Sequence, residues 1–301
     1  MKELLEICER ESKPISQVML EYEVKQGKLT HEEVIAGMKR NLDVMRSAVK
    51  KGFKGVVSTT ELTGGDAVKL KSYIAAGKTL SGENILTACA TAIGTNEVNA
   101  AMGIICATPT AGSAGTVPGP LFTLEEKLNL TEEQMINFLL TSGAFGLITA
   151  NNAFISGAAG GCQAEIGTSS AMAAAAAVEA AGGTPEQSAH GFAIALANML
   201  GLVCDPVAGL VEVPCIKRNA AGASNALISA DMALAGLMSE IPPDEVISAM
   251  YEVGKAMPTA FKETAEGGLA ATPTGCAIKR RIFGEESGCV CSKGKEGRLK
   301  G

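Results

Sequence analysis

The chain contains no tryptophan, and aromatic residues occupy only 4% of its 301 positions. Its hydrophobic content of 47% must therefore come mainly from Ala, Val, Ile, Leu and Met. Small aliphatic side chains let helices approach closely, which favours helix-on-helix packing. Convincing period-2 alternation is missing as well, and Val211-Glu212-Val213 is the best short extended candidate. A basic surplus is also missing. Lys and Arg number 26 against 32 Asp and Glu, for a net charge of −6. That balance argues against a nucleic-acid binder. Basic residues gather only over 279–300, mixed with Glu285, Glu286 and Glu296, as in a solvated terminus.

Long unbroken apolar runs are absent too. The most apolar stretch, 135–158, is interrupted by Asn137, Thr141, Ser142, Asn151 and Asn152. It reads as a buried helix and loop, and no membrane span is expected. Residues 1–12 are rich in charge and lack the apolar centre of a signal peptide, so a cytoplasmic location is expected. In a reducing compartment, nine cysteines point to metal binding or catalysis before disulfides. Yet no zinc-type Cys-x-x-Cys pair is present.

What the chain does have is helical pattern. Apolar periodicity predicts helices over roughly 14–26, 31–50, 83–102, 132–149, 185–200, 219–237 and 243–255. The alanine run 171–181 predicts a closely packed helix. Capping boxes are read at Thr30/Glu33, Thr123/Glu126, Thr131/Gln134 and Thr184/Gln187, the last with Pro185 at the first helical position. The expectation is an all-α, multi-helix domain over 1–284 with Gly/Pro-rich loops, followed by a disordered tail over 285–301.

Three of those loops are rich in Thr and Gly: 58–66, 107–115 and 267–275. Ala-Thr-Pro-Thr occurs twice, at 107–110 and 271–274. Thr hydroxyls beside glycine amides can bind a carboxylate or phosphate, and the same residues also simply make turns. Cys162, Cys204 and Cys215 lie in Gly- or Pro-broken stretches of this kind. Thiolates held in such turns can ligate a soft metal, although a free cysteine is most often a small buried hydrophobe. Cys8, Cys89 and Cys106 are read as buried hydrophobes; Cys276 follows the last Thr-Pro loop, and Cys289 and Cys291 lie in the tail.

The motifs together resemble the alpha subunit of the iron–sulfur-dependent bacterial L-serine dehydratases. The resemblance covers essentially 1–284. It is carried by Leu62-Thr63-Gly64-Gly65-Asp66, Thr95-Asn96-Glu97-Val98-Asn99, the 107–115 loop and Ala150-Asn151-Asn152. It continues through Gly160-Gly161-Cys162-Gln163-Ala164-Glu165, Cys204-Asp205-Pro206, Val213-Pro214-Cys215-Ile216-Lys217-Arg218-Asn219 and Gly267-Gly268-Leu269-Ala270. It implies that Cys162, Cys204 and Cys215 hold three irons of a 4Fe–4S cluster, leaving one iron open as a Lewis acid for the hydroxyl of L-serine. Thr108, Thr110, Ser58 and Asn152 become candidates for orienting that substrate.

The resemblance implies a partner as well. Family members carry a smaller region with a Ser-Ser-Ser-His-Thr motif, which this chain lacks, so a separate beta subunit is expected. The base that takes the Cα proton is not identified. Of the two histidines, His31 sits in a capping box and His190 on an amphipathic helix. A C-terminal cysteine caps the open iron in single-chain relatives, which raises that role for Cys289 or Cys291. A pyridoxal phosphate route is disfavoured, because the glycines lack a Ser-Phe-Lys context. An iron–sulfur L-cysteine desulfidase and a redox sensor are the alternatives.

Overall fold

The structure, a computed structural model, describes residues 1–288. Its first five helices are α1 (Lys2–Glu11), α2 (Ile15–Gly27), α3 (His31–Gly52), α4 (Asp66–Ala75) and α5 (Glu83–Ala100). Next come α6 (Pro118–Leu128), α7 (Glu132–Asn152), the single turn α8 (Gly157–Gly160) and α9 (Thr168–Ala180). The last four are α10 (Pro185–Ala197), α11 (Cys215–Leu234), α12 (Pro243–Ala256) and α13 (Pro273–Phe283). The described residues contain no strand, only isolated bridges at Val57/Gly64 and Cys204/Lys262. The all-α expectation therefore holds.

The alanine-rich α9 is the axis of the bundle. Every side chain from Thr168 to Val178 is buried. Helices α7, α10 and α11 pack around it, and α6 closes a further side. Alanine leaves the surrounding helices almost at backbone contact, which is how a core poor in aromatics fills its volume. Two of the few rings still matter: Phe145 of α7 stacks on Phe192 of α10, with centroids 5.0 Å apart. The hydroxyl of Ser170 donates to Gly222 O at 2.7 Å and ties α9 to α11.

Helix α5 forms a second layer, with α3, α4, α6 and α11 against it. Its contact with α3 depends on a glycine. A Cβ at Gly52 would lie 2.3 Å from Gly94 O and 2.5 Å from Gly94 C. Gly52→Ala is therefore expected to lower stability by about 2 kcal/mol through overpacking, read as a lower urea midpoint at unchanged slope.

Three predicted capping boxes form as expected, at Thr30/Glu33, Thr131/Gln134 and Thr184/Gln187. The fourth does not. Pro118 and Pro120 start α6 earlier, so Thr123 falls inside the helix and donates to Gly119 O at 2.9 Å. Glu125, beside the expected partner Glu126, pairs with Arg46 at 2.7 Å. Val211-Glu212-Val213 is a bend and turn, not an extended segment. Helix α11 begins at Cys215 rather than near 219, because Pro214 supplies its start. Of the expected 285–301 tail, residues 289–301 lie outside the described residues, Cys289 and Cys291 among them.

Candidate metal centre

Two of the three predicted cysteines sit at helix starts. Cys162 immediately precedes a π-helical turn (Gln163–Gly167) that runs directly into α9. Cys215 is the first residue of α11. Helix N-termini carry partial positive charge and favour a thiolate. Cys204 lies on an irregular segment whose backbone is locked on both sides: its amide donates to Phe261 O at 2.8 Å, and Glu263 N donates to its carbonyl at 3.0 Å. All three thiols are buried.

Cys162 Sγ, Cys204 Sγ and a carboxylate oxygen of Glu165 lie within 4.8 Å of one another, a donor set that could hold a metal. Cys215 stands outside that tight group, yet its thiol feels the charges of Cys162 and Glu165. The cradle is lined by glycine. A Cβ at Gly157 would come 2.8 Å from Cys204 Sγ, and one at Gly112 would come 2.5 Å from Glu165 Oε1. Soft donors, burial and a bare backbone wall fit a thiolate-ligated metal group.

The thiols are not equivalent. The Cys204 thiol donates to Cys162, and the Arg218 guanidinium adds its charge, so the Cys162 thiol is held below its ordinary value. Cys204 is raised by that same hydrogen bond and then by burial. Cys215 is raised by burial, with the charge of Cys162 adding to it. Burial also raises the Glu165 carboxyl above the usual range.

The 107–115 loop faces this group. Thr110 donates its hydroxyl to Glu165 Oε1 and lies 3.1 Å from Ser113 Oγ. Thr108 is buried; its carbonyl accepts from Ser113 Oγ at 2.8 Å, and its hydroxyl reaches Ser113 O at 3.4 Å. Three asparagines hold the loop from outside. Asn96 and Asn219 donate to Gly112 O at 2.8 and 2.7 Å, and Asn99 donates to Ala111 O at 3.1 Å. Asn219 also accepts from Gly115 N and Thr116 Oγ1 at 3.1 and 3.0 Å, and donates to Cys215 O at 2.9 Å. It thus locks the loop to the start of α11. Asn219→Ala strands these buried partners and is expected to cost about 3 kcal/mol, measured by chemical denaturation.

Ser58 and Asn152 have other engagements. Ser58 Oγ lies 3.1 Å from Thr60 Oγ1, and Thr60 and Thr63 both donate to the buried carboxylate of Glu212 at 2.7 Å. The 58–63 loop is thereby tied to the segment that leads into Cys215. Asn152 is exposed, donates to Ile148 O at 2.7 Å and lines a groove with Met1, Leu4 and Val18. His31 is exposed at the start of α3, and His190 Nδ1 accepts from Ser239 N at 3.2 Å. Glu165 and Arg218 were not among the predicted site residues. Each lies three positions after a cysteine, a spacing that places side chains on one helix face.

The family described as serine dehydratase alpha chain matches residues 10–270. The chain belongs to the serine dehydratase alpha-chain family. A "Probable L-serine dehydratase, alpha chain" of Bacillus subtilis strain 168 is 66% identical over 284 residues, covering 94% of this chain and 95% of the relative. The "L-serine dehydratase, alpha chain" of Peptoniphilus asaccharolyticus is 45% identical over 285 residues, covering 94% and 98%. An "L-serine dehydratase" of Streptomyces coelicolor is 38% identical over 284 residues, covering 91% of this chain but 61% of the relative. The serine dehydratase alpha-chain match spans all three thiols and the loops around them. Among the described residues, no helix is long and apolar enough to cross a membrane.

Proposed function

We propose that this chain is the alpha subunit of an L-serine dehydratase, a lyase that eliminates water from L-serine and yields pyruvate and ammonia. The observation that carries this reading is the convergence of Cys162, Cys204 and Glu165, with Cys215 beside them, in a chain of this family. Cys162, Cys204 and Cys215 would hold a 4Fe–4S cluster. A single ion takes donors gathered tightly around one point, whereas a cluster presents separate metal atoms to separate thiolates, which suits the offset position of Cys215. Once bound, such a cluster supplies a Lewis-acidic iron for a poor leaving group, the serine hydroxyl.

The chain's own residues position the substrate. The Thr110 and Ser113 hydroxyls, held by the asparagine-braced loop, would exchange their present acceptors, Glu165 Oε1 and Thr108 O, for the substrate carboxylate, with Thr108 shaping the turn. Glu165, half-buried beside Cys162 and the 107–115 loop, offers negative charge to the substrate ammonium. Ser58 contributes through the loop anchored on Glu212.

We assign the Cα-proton base to a separate beta subunit. Relatives named alpha chain match this chain over 95% and 98% of their length, whereas the Streptomyces relative, named without a chain designation, extends well beyond it. Neither described imidazole is engaged at the thiols. The test is an anaerobic assay of the chain with its beta subunit. Equal release of pyruvate and ammonia from L-serine is expected. Sulfide release from L-cysteine without serine turnover would establish a desulfidase instead, and turnover of neither would favour a redox sensor.

A further inference from the structure

Arg218 touches all three thiol-bearing segments. It lies on α11, one turn beyond Cys215. Its Nη1 donates to Val203 O, the carbonyl just before Cys204, at 2.7 Å. The same nitrogen approaches Cys162 Sγ at 3.7 Å, within reach of an N–H···S hydrogen bond. It also stands 2.8 Å from Asp205 Oδ1, just after Cys204, in an ion pair that is largely buried. With two N–H groups directed to Val203 O and Cys162 Sγ, Asp205 Oδ1 is paired by charge and has no aligned hydrogen bond. The other carboxylate oxygen, Oδ2, accepts from Leu269 N at 2.7 Å, where Gly268 leaves room for the approach. One side chain therefore links Cys162, the Cys204 segment, α11 and the 267–270 loop.

Such a residue answers two physical needs of a buried thiolate group. Thiolates taken out of water need a nearby cation, or their burial is strongly unfavourable. Three segments distant in sequence also need a fixed relation before a metal group can engage them together. The planar guanidinium meets both, because it carries charge and several fixed donors at once.

We propose that Arg218 is the positioning residue of the thiol site: it preassembles the Cys162, Cys204 and Cys215 segments, offsets their negative charge and donates a hydrogen bond to the Cys162 sulfur. The proposal rests on the cluster reading above. Hydrogen bonds and positive charge at ligand sulfurs stabilise the reduced, more negative state of an iron–sulfur group, so their loss lowers its potential. Asp205 holds the guanidinium in place, and Leu269 N holds Asp205.

The test loads the full chain anaerobically with iron and sulfide as parent, R218Q and R218K. It reads iron and sulfide per chain, the rate of iron loss to a chelator, and the midpoint potential. R218Q is expected to lose iron at least fivefold faster than the parent, with a midpoint displaced to more negative values. R218K keeps the charge but cannot serve Val203 O and Cys162 Sγ with the same geometry. It is expected to displace the midpoint less than R218Q does, while losing iron faster than the parent. Far-UV circular dichroism of the metal-free chains reports folding. If R218Q does not fold, R218K decides alone, and a parental rate of iron loss overturns the proposal. Parental loading, iron loss and midpoint in R218Q overturn the role of Arg218 while leaving the cluster intact. A parent chain that takes up no iron and sulfide overturns the cluster reading, and the proposal with it.

Discussion

Cys204→Ala is expected to abolish the visible absorption of the anaerobically reconstituted chain, while Cys89→Ala leaves it intact. Both residues are cysteines in the same fold, so the comparison isolates position from chemistry. Cys204 lies within 4.8 Å of Cys162 Sγ and Glu165, whereas Cys89 is on α5 and points its thiol towards Ala220 O at 3.5 Å. The Cys204 backbone is held by Phe261 O and Glu263 N, and these bonds do not involve the side chain. Its replacement by alanine therefore removes a donor without removing the fold. Losing an outer partner of a metal site costs 10- to 100-fold, so losing a ligand should lower serine turnover by more than about 100-fold. Equal absorption in the two variants would break the ligand assignment.

The isolated chain should load a cluster yet turn over L-serine at least about 100-fold more slowly than the two-chain enzyme. A positioned general base contributes roughly 10²- to 10⁴-fold, and the described thiol site contains no imidazole to act as one. His190 is bonded to Ser239 N, and His31 is exposed at the start of α3. Adding the beta subunit should restore the rate without changing iron content. Full turnover by this chain alone, with iron content unchanged, would place the base within it and remove the need for a partner in the chemistry.

Much of the helical frame was legible because it is written locally. Thr30, Thr131 and Thr184 each find their partner three residues on, and periodicity needs only a window of one helix. Two of the misses come from distance along the chain, and a third from a competing local signal. Helix α4 was not predicted, and its start is secured by Glu97 of α5, which accepts from Asp66 N at 2.6 Å. The buried carboxylate that organises the 58–63 loop is Glu212, about 150 positions away. Thr123 carries a local capping signature, but Pro118 had already opened the helix upstream.

The candidate site was legible only in part, again because of distance along the chain. The three cysteines stood out by their Gly- and Pro-broken surroundings, but their convergence depends on how α8, α9 and α11 pack. Glu165 and Arg218 had a weak signal, the three-residue spacing from Cys162 and Cys215. Their partners, Thr110 for one and the Cys162 sulfur for the other, lie 55 and 56 positions away. Asn96, Asn99 and Asn219 fall within motifs that carry the resemblance, but their role as a brace did not show, since they act on backbone carbonyls of a separate loop.

The central claim is that three thiolates of this chain leave a metal atom open to L-serine. The most direct measurement is the electron paramagnetic resonance spectrum of the anaerobically reconstituted two-chain enzyme, recorded with and without L-serine. A serine-dependent change in the cluster signal is predicted, absent in the Cys204→Ala variant. A spectrum unchanged by serine, from a cluster whose four irons are all held by protein ligands, would contradict the account.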